Sequence, residues 1–244
     1  DWSSDVCSSD LEAEVRANAG GWWFGTGSEG QGEYIHPYGS TITGKSYEVP
    51  AAAVGITATG CPDISFDCVD ISFARDTALS AARSNVSIRH SIVSRAGTSN
   101  AVTLSESCVW NDLACTFRDA GNDGLGTQGP CHTVSVGSQF VDNLADGFAP
   151  HLDGNTCRLV GCSILRNGKN GFVTVGSGDF ALRDCEVSGN FSTDVMALVG
   201  ALTDPSTFDI QDCASGSTRI DADTPSVITA RVMDHRGSLH LKCN

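Results

Sequence analysis

The feature that most restricts the fold of this chain is a period. A small residue followed two positions later by an apolar one recurs at Ser91, Cys115, Ser138, Cys162 and Cys185, spaced 24, 23, 24 and 23 residues apart. The apolar partners are Val93, Phe117, Phe140, Ile164 and Val187. Five residues past the small one come Ala96 and Ala120, then Asn143, Asn167 and Asn190. Nine and ten residues past it lie Gly124-Leu125, Gly147-Phe148 and Gly171-Phe172, with Asn100-Ala101 before them and Asp194-Val195 after. Cys61, Ser84, Cys108 and Cys131 precede the small column by seven, if Cys68 is its first member. Independent columns on one period define an internal repeat of 23–24 residues.

A repeat of this length means a solenoid, because one unit cannot bury its own apolar face and must stack on its neighbours. Each unit holds short period-two alternations, such as Val134/Val136 and Phe172/Thr174, broken by Gly, Asn and Asp. No stretch of helical spacing survives between those breaks, and the Leu-x-x-Leu-x-Leu core of leucine-rich repeats is absent. The expected fold is all-β: a single-stranded, right-handed parallel β-helix of about seven coils over residues 61–244. In the lines VSVGSQFVDNLADGF (134–148) and CRLVGCSILRNGKNGF (157–172) the sequence resembles the pectate-lyase-like superfamily of right-handed β-helix proteins. The resemblance implies short parallel strands, with the Cys/Ser, aromatic and Asn columns stacked about 4.8 Å apart inside the coil.

The ends are read separately. Residues 1–11, DWSSDVCSSDL, resemble an in-frame translation of a short sequencing adapter and are set apart from fold reasoning. On that reading the natural start of the protein lies outside this sequence, Cys7 leaves the cysteine count, and the formal charge moves from −14 to −11. Residues 12–60 are expected to form an irregular N-terminal cap. Its Trp22, Trp23 and Phe24 patch either covers the open end of the coil or offers a platform for sugar rings. After residue 198 the period stretches, with Cys213 and Cys243 following at 28 and 30 residues. The ending LHLKCN is read as a cut partway through a coil.

The acidic balance argues against nucleic acid, whose binding needs basic residues to neutralise phosphates. It equally disfavours simple docking to an anionic membrane, and no apolar run approaches the length of a spanning helix. Cysteines give no CxxC pair and no zinc-type spacing. They read either as buried small fillers or, at Cys108/Cys131 and Cys162/Cys185, as neighbours within disulfide reach on adjacent coils.

Strand alternation places Phe148 and Pro150 inward and Ala149 and His151 outward, with Gln128 below His151 and Val175 above it. Asp123, Asp146 and Asn170 share the turn that opens this strand, and Asp153 closes it. The segment Gly147-Phe148-Ala149-Pro150-His151-Leu152-Asp153 resembles the Asp-Pro-His-Asp motif of β-helix alginate C5-epimerases. The match falls on Pro150, His151 and, offset by one, Asp153; the chain departs from the motif at Ala149. The resemblance implies proton transfer at C5 of a uronic acid by His151 and Asp153, with Asp146 beside them.

Such chemistry also needs a cation to neutralise the sugar carboxylate. Arg166 and Lys169, one coil later, are candidates for it. Asp123, Asp146 and Asp153 are alternatively calcium ligands, since a hard cation wants clustered oxygens, and Asp123 with Asp146 alternatively serve a paired-carboxylate hydrolase. Asp123, Gln128, Trp22 and Trp23 are the candidate substrate contacts. Each has a plainer reading: turn residues for the carboxylates, an exposed polar residue for His151, and a salt-bridge ladder for Arg95, Asp119, Asp142 and Arg166. The expected function is a secreted or cell-surface protein acting on a polysaccharide, of lyase or epimerase type. The alternative is a non-catalytic adhesin or tail-spike-like shaft, a trimer if its outer columns are apolar.

Overall fold

In the computed structural model the backbone is described for residues 22–27, 30–35, 41–43, 46–48, 54–199, 206–222, 227–235 and 239–243, and side chains for 54–197 and 206–219. The described residues contain strands and turns but no helix. Three parallel ladders run the length of the molecule, one strand per ladder in each coil. The first holds Thr41–Thr43 (β3), Ile64–Asp67 (β6), Asn85–Arg89 (β9), Val109–Leu113 (β12), His132–Val136 (β15), Asn155–Val160 (β18) and Gly178–Arg183 (β21). The second holds Ser46–Glu48 (β4), Asp70–Ser72 (β7), Ile92–Ser94 (β10), Thr116–Arg118 (β13), Gln139–Val141 (β16), Ser163–Leu165 (β19) and Glu186–Ser188 (β22). The third holds Val54–Thr59 (β5), Thr77–Ala82 (β8), Val102–Ser105 (β11), Leu125–Gln128 (β14), Phe148–His151 (β17), Phe172–Val175 (β20) and Val195–Val199 (β23).

This is a parallel β-solenoid with seven three-strand coils between 41 and 199. Where the sequence period lengthens, Thr207–Ser215 (β24) runs through the corner between the first two ladders and pairs with β21 and β22. Val227–His235 (β26) stacks on it, and Thr218–Ala222 (β25) and Leu239–Cys243 (β27) continue the third ladder. Residues 1–11 lie outside the described residues. Within the segment read as an irregular cap, Trp22–Gly27 (β1) and Gly30–Ile35 (β2) form an antiparallel hairpin. Residues 41–59 differ from that reading: β3, β4 and β5 already stack in parallel on the next coil. Their polar, Thr-rich strands hide the repeat that the later aromatic columns display.

The register reproduces the sequence columns. Val93, Phe117, Phe140, Ile164 and Val187 pair in succession along the second ladder. One column member changes, because Ile92 pairs with Asp70 and so Val69, not Cys68, stands below Ser91. The interior is aromatic at its centre. Phe117 stacks on Phe140 at 5.0 Å and Phe148 on Phe172 at 5.8 Å, with an edge contact of 5.3 Å between Phe140 and Phe148. Phe180 and Phe208 extend the spine at 5.2 Å. Each such pair contributes about 0.5–1.5 kcal/mol beyond burial.

The Cys/Ser columns have a local reason. Seryl oxygens of Ser84, Ser91 and Ser138 accept the backbone N–H of Cys61, Val69 and Cys115 on the coil below. Cysteines in the same columns donate weakly to carbonyls, as Cys162 does to Ser135 and Cys185 to Leu159. The nine described cysteines are free thiols. Burial pushes Cys115 up to about 11 and Cys157 up to about 12, so both are unreactive fillers at neutral pH.

Corners are tight. Cys68, His90, Ala114, Gly137, Gly161, Asp184 and Asp212 all take φ between 47° and 61° where the first ladder turns into the second. Glycine supplies that conformation freely at 137 and 161; the other residues adopt it at some steric cost.

Candidate functional site

The third ladder is preceded by a corner whose side chains bond from coil to coil. Asn100 Oδ1 accepts the N–H of Asp123 (3.1 Å), Asp123 Oδ1 that of Asp146 (3.1 Å), and Asp146 Oδ1 that of Asn170 (2.8 Å). Asp194 continues the column, accepting the N–H of Ser217. These are buried side chains, not the solvated turn residues their composition suggests. Burial raises the Asp146 carboxyl above its ordinary range and the charge of Asp123 adds to it; bonds from Asn170 and the charge of Lys169 oppose the rise.

Asp123 reaches beyond the corner. Its Oδ2 lies over Gly126 on the outer face of β14: a Cβ there would sit 2.2 Å from Asn100 Nδ2 and 3.5 Å from Asp123 Oδ2. A glycine at 126 is therefore what lets the corner fold onto the sheet. This brings Asp123 Oδ2 to 3.9 Å from His151 Nε2, with the His side chain one-third exposed and the Asp side chain 4% exposed. Strand alternation alone does not bring these two residues together; the folded-over corner does.

His151 is held from behind. Asn155 Nδ2 donates to the carbonyls of His151 (2.9 Å) and Leu152 (2.8 Å), while its Oδ1 accepts from the Thr127 hydroxyl (2.8 Å) and the Cys131 N–H (3.3 Å). Asn155 stands one coil above Cys131, in the Cys/Ser column, and its role is invisible until that column is followed one coil further. Gln128 pairs in register with His151 from below and Val175 from above, both exposed. Ala149, expected on the open outer face, is fully buried.

The other expected site residues are placed elsewhere. Asp153 Oδ1 accepts both the N–H and the hydroxyl of Ser177 (2.8 and 2.7 Å), which hold its carboxyl below the ordinary range. It caps the next coil. Arg166 makes a two-pronged contact with Asp142, Nε to Oδ1 at 2.8 Å and Nη2 to Oδ2 at 2.7 Å. That ion pair lies at the corner following the second ladder and engages the guanidinium that a sugar carboxylate would need. Of the expected salt-bridge column, Arg166–Asp142 is formed; Arg95 instead lies 4.5 Å above the Phe73 ring.

Lys169 is exposed at the turn just before Asn170 and is close enough to lower Asp146. Among the described residues, Asp123, Asp146 and Asp153 do not converge as a calcium-sized cluster. Trp22 and Trp23 lie on β1, and their side chains are outside the described residues.

The third-ladder face thus presents a His–Asp pair on a parallel sheet, with exposed Gln128 and Val175 on either side. A partly exposed imidazole backed by a buried carboxylate can accept or donate a proton and hold a sugar hydroxyl. No protein-family model, no curated protein and no solved structure matches this chain.

Proposed function

We propose that this solenoid is an extracellular or cell-surface protein that acts on an acidic polysaccharide lying along the outer face of the third ladder. The reaction is of lyase or epimerase type. One observation carries the reading: His151 Nε2 stands 3.9 Å from a buried carboxylate oxygen of Asp123, on the face of a parallel sheet, with its backbone held by Asn155. The imidazole takes the C5 proton of a uronate residue, and Asp123 stabilises the imidazolium that forms. Collapse of the carbanion either expels the C4 oxygen, which takes a proton from water as a C4–C5 double bond forms, or takes a proton at C5 from water on the opposite face. Exposed Lys169, whose charge already acts on Asp146, is the cation offered to the sugar carboxylate, since Arg166 is engaged by Asp142. Gln128 and Val175 supply a polar and an apolar contact to adjoining sugars.

A second reading has its own support. Leu113, Val136 and Val160 pair in register along the outer face of the first ladder and are all exposed. An apolar row of this kind suits a non-catalytic shaft that associates side by side. The two readings separate in one assay. The chain is incubated with acidic and neutral polysaccharides, beside His151→Ala, and products are read by mass spectrometry and sugar-ring NMR. Unsaturated or C5-inverted products that the variant lacks support the enzyme. Binding without products, or a trimer in sedimentation, supports the shaft.

A further inference from the structure

A second cluster lies far down the solenoid from His151, where the first ladder turns into the second. Asp67 ends β6 and Cys68 follows it at the corner; His90 follows β9 at the same corner one coil later. His90 Nδ1 is 3.2 Å from Asp67 Oδ1, and Cys68 Sγ is 3.5 Å from the same oxygen. One ligand atom from each residue falls within 4.8 Å of the others, the one such group of three among the described residues. All three side chains face solvent or its margin.

These separations have a chemical meaning. A tetrahedral zinc ion with Zn–N and Zn–O bonds near 2.0 Å and Zn–S near 2.3 Å sets its ligand atoms about 3.3 Å apart for N and O, and about 3.5 Å apart for S and O. The two pairs that involve Asp67 match these spacings, and Cys68 Sγ and His90 Nδ1 lie within 4.8 Å of each other. The donor set is also selective. One imidazole, one thiolate and one carboxylate suit a borderline-soft ion, whereas calcium asks for six or more oxygens. Arg89, in register with Asp67, places a positive charge nearby that opposes any cation, so the carboxylate and thiolate must outweigh it. The left-handed corner at both positions, φ 55° for Cys68 and 47° for His90, points the two side chains outward from adjacent coils toward one spot.

We infer that Asp67, Cys68 and His90 form an open, three-ligand site for zinc or a similar borderline divalent cation, clipping the second coil to the third. Water completes the tetrahedron. Binding displaces the thiol proton, so affinity rises with pH.

Cobalt(II) tests this, because a thiolate ligand gives sulfur-to-cobalt charge transfer and a tetrahedral field gives intense visible bands. The full chain is titrated under reducing conditions beside Cys68→Ser, His90→Asn and Asp67→Asn; asparagine tolerates the left-handed corner at 90. The expected result is one equivalent bound with a charge-transfer band, displaced by zinc and not by calcium. Cys68→Ser loses the band, and the other two variants bind at least tenfold more weakly. A band that persists in Cys68→Ser, binding unchanged in His90→Asn, or no cobalt bound at all overturns the site.

Discussion

Two corners of this solenoid use the same device with different chemistry. At the corner after the second ladder, Asn143, Asn167 and Asn190 form a chain of amides. Asn167 Oδ1 accepts both the N–H and the Nδ2–H of Asn143, and Asn190 Oδ1 does the same for Asn167. At the corner before the third ladder, side chains again cap the N–H of the neighbouring coil, but three of the four caps, Asp123, Asp146 and Asp194, are carboxylates. An amide can donate and accept at once, so each amide hands on to the next until Asn190 donates to Asp194 Oδ1. A carboxylate only accepts, and burying its charge raises its proton affinity, as at Asp146. The acidic corner is thus the costlier way to hold coils together. It is also the corner that carries an oxygen to His151.

The strongest test of that contrast is Asn167→Ala. It removes the acceptor for two bonds from Asn143, the donation to Phe140 O, and the donation to Asn190. With net contributions near 1 kcal/mol per bond and buried groups left unpaired, the loss is about 3 kcal/mol or more in urea unfolding. A loss under 1 kcal/mol would show that the amide chain is dispensable.

A carboxylate inside the coil calibrates the acidic side. Asp112 is wholly buried and accepts from Trp110 Nε1 and the Ser135 hydroxyl, while its Oδ1 has no partner. Burial pushes it up to about 6 from 3.8. A raised carboxyl binds its proton more tightly when folded, so stability is greatest below the unfolded value and falls as pH rises from about 4 to about 6. The burial penalty at pH 7 is about 3 kcal/mol. Asp112→Asn removes it but leaves a buried amide N–H unpaired, at a cost of about 1–2 kcal/mol. The expected net gain is about 1–2 kcal/mol at pH 7, with a flatter stability–pH curve; a loss at pH 7 contradicts the reading.

Asp146→Asn keeps the oxygen that accepts from Asn170 and drops the charge. Its gain at pH 7 is smaller than that of Asp112→Asn and vanishes in acid, as parallel melts at pH 7 and pH 4 would reveal. The smallest effect is on His151 itself. As a partly exposed side chain with no close bond, its replacement by alanine shifts stability by no more than about 0.5 kcal/mol.

The fold was written in columns that one coil repeats on the next. Phe117, Phe140 and Ile164 announce their stacking because each is large, apolar and 23 or 24 residues from its neighbour. Residues 41–59 stack just as regularly, yet Thr41, Ser46 and Thr57 carry too little apolar contrast to show it. The site was legible only in part. His151, Gln128 and Asp123 are candidates by register, but the pairing of Asp123 with His151 depends on Gly126, which admits the corner onto the sheet. Asp153 and Arg166 had the right chemistry for a site and are spent on Ser177 and Asp142. Asp67, Cys68 and His90 were hidden by one skipped residue, since β6 and β7 lie 22 residues from β9 and β10 while the neighbouring coil steps are 23 or 24. A local ligand motif is invisible when its members meet only through the period.

The central claim is that the His151–Asp123 pair performs chemistry on an acidic polysaccharide. The most direct measurement is the initial rate of unsaturated or C5-inverted product from a panel of polyuronates, for the full chain and for His151→Ala. The account predicts product from the full chain, a fall of about 10²–10⁴-fold in the variant, and unaltered folding by circular dichroism. Equal rates in the two proteins, or no product from any polyuronate by a folded chain, would contradict it.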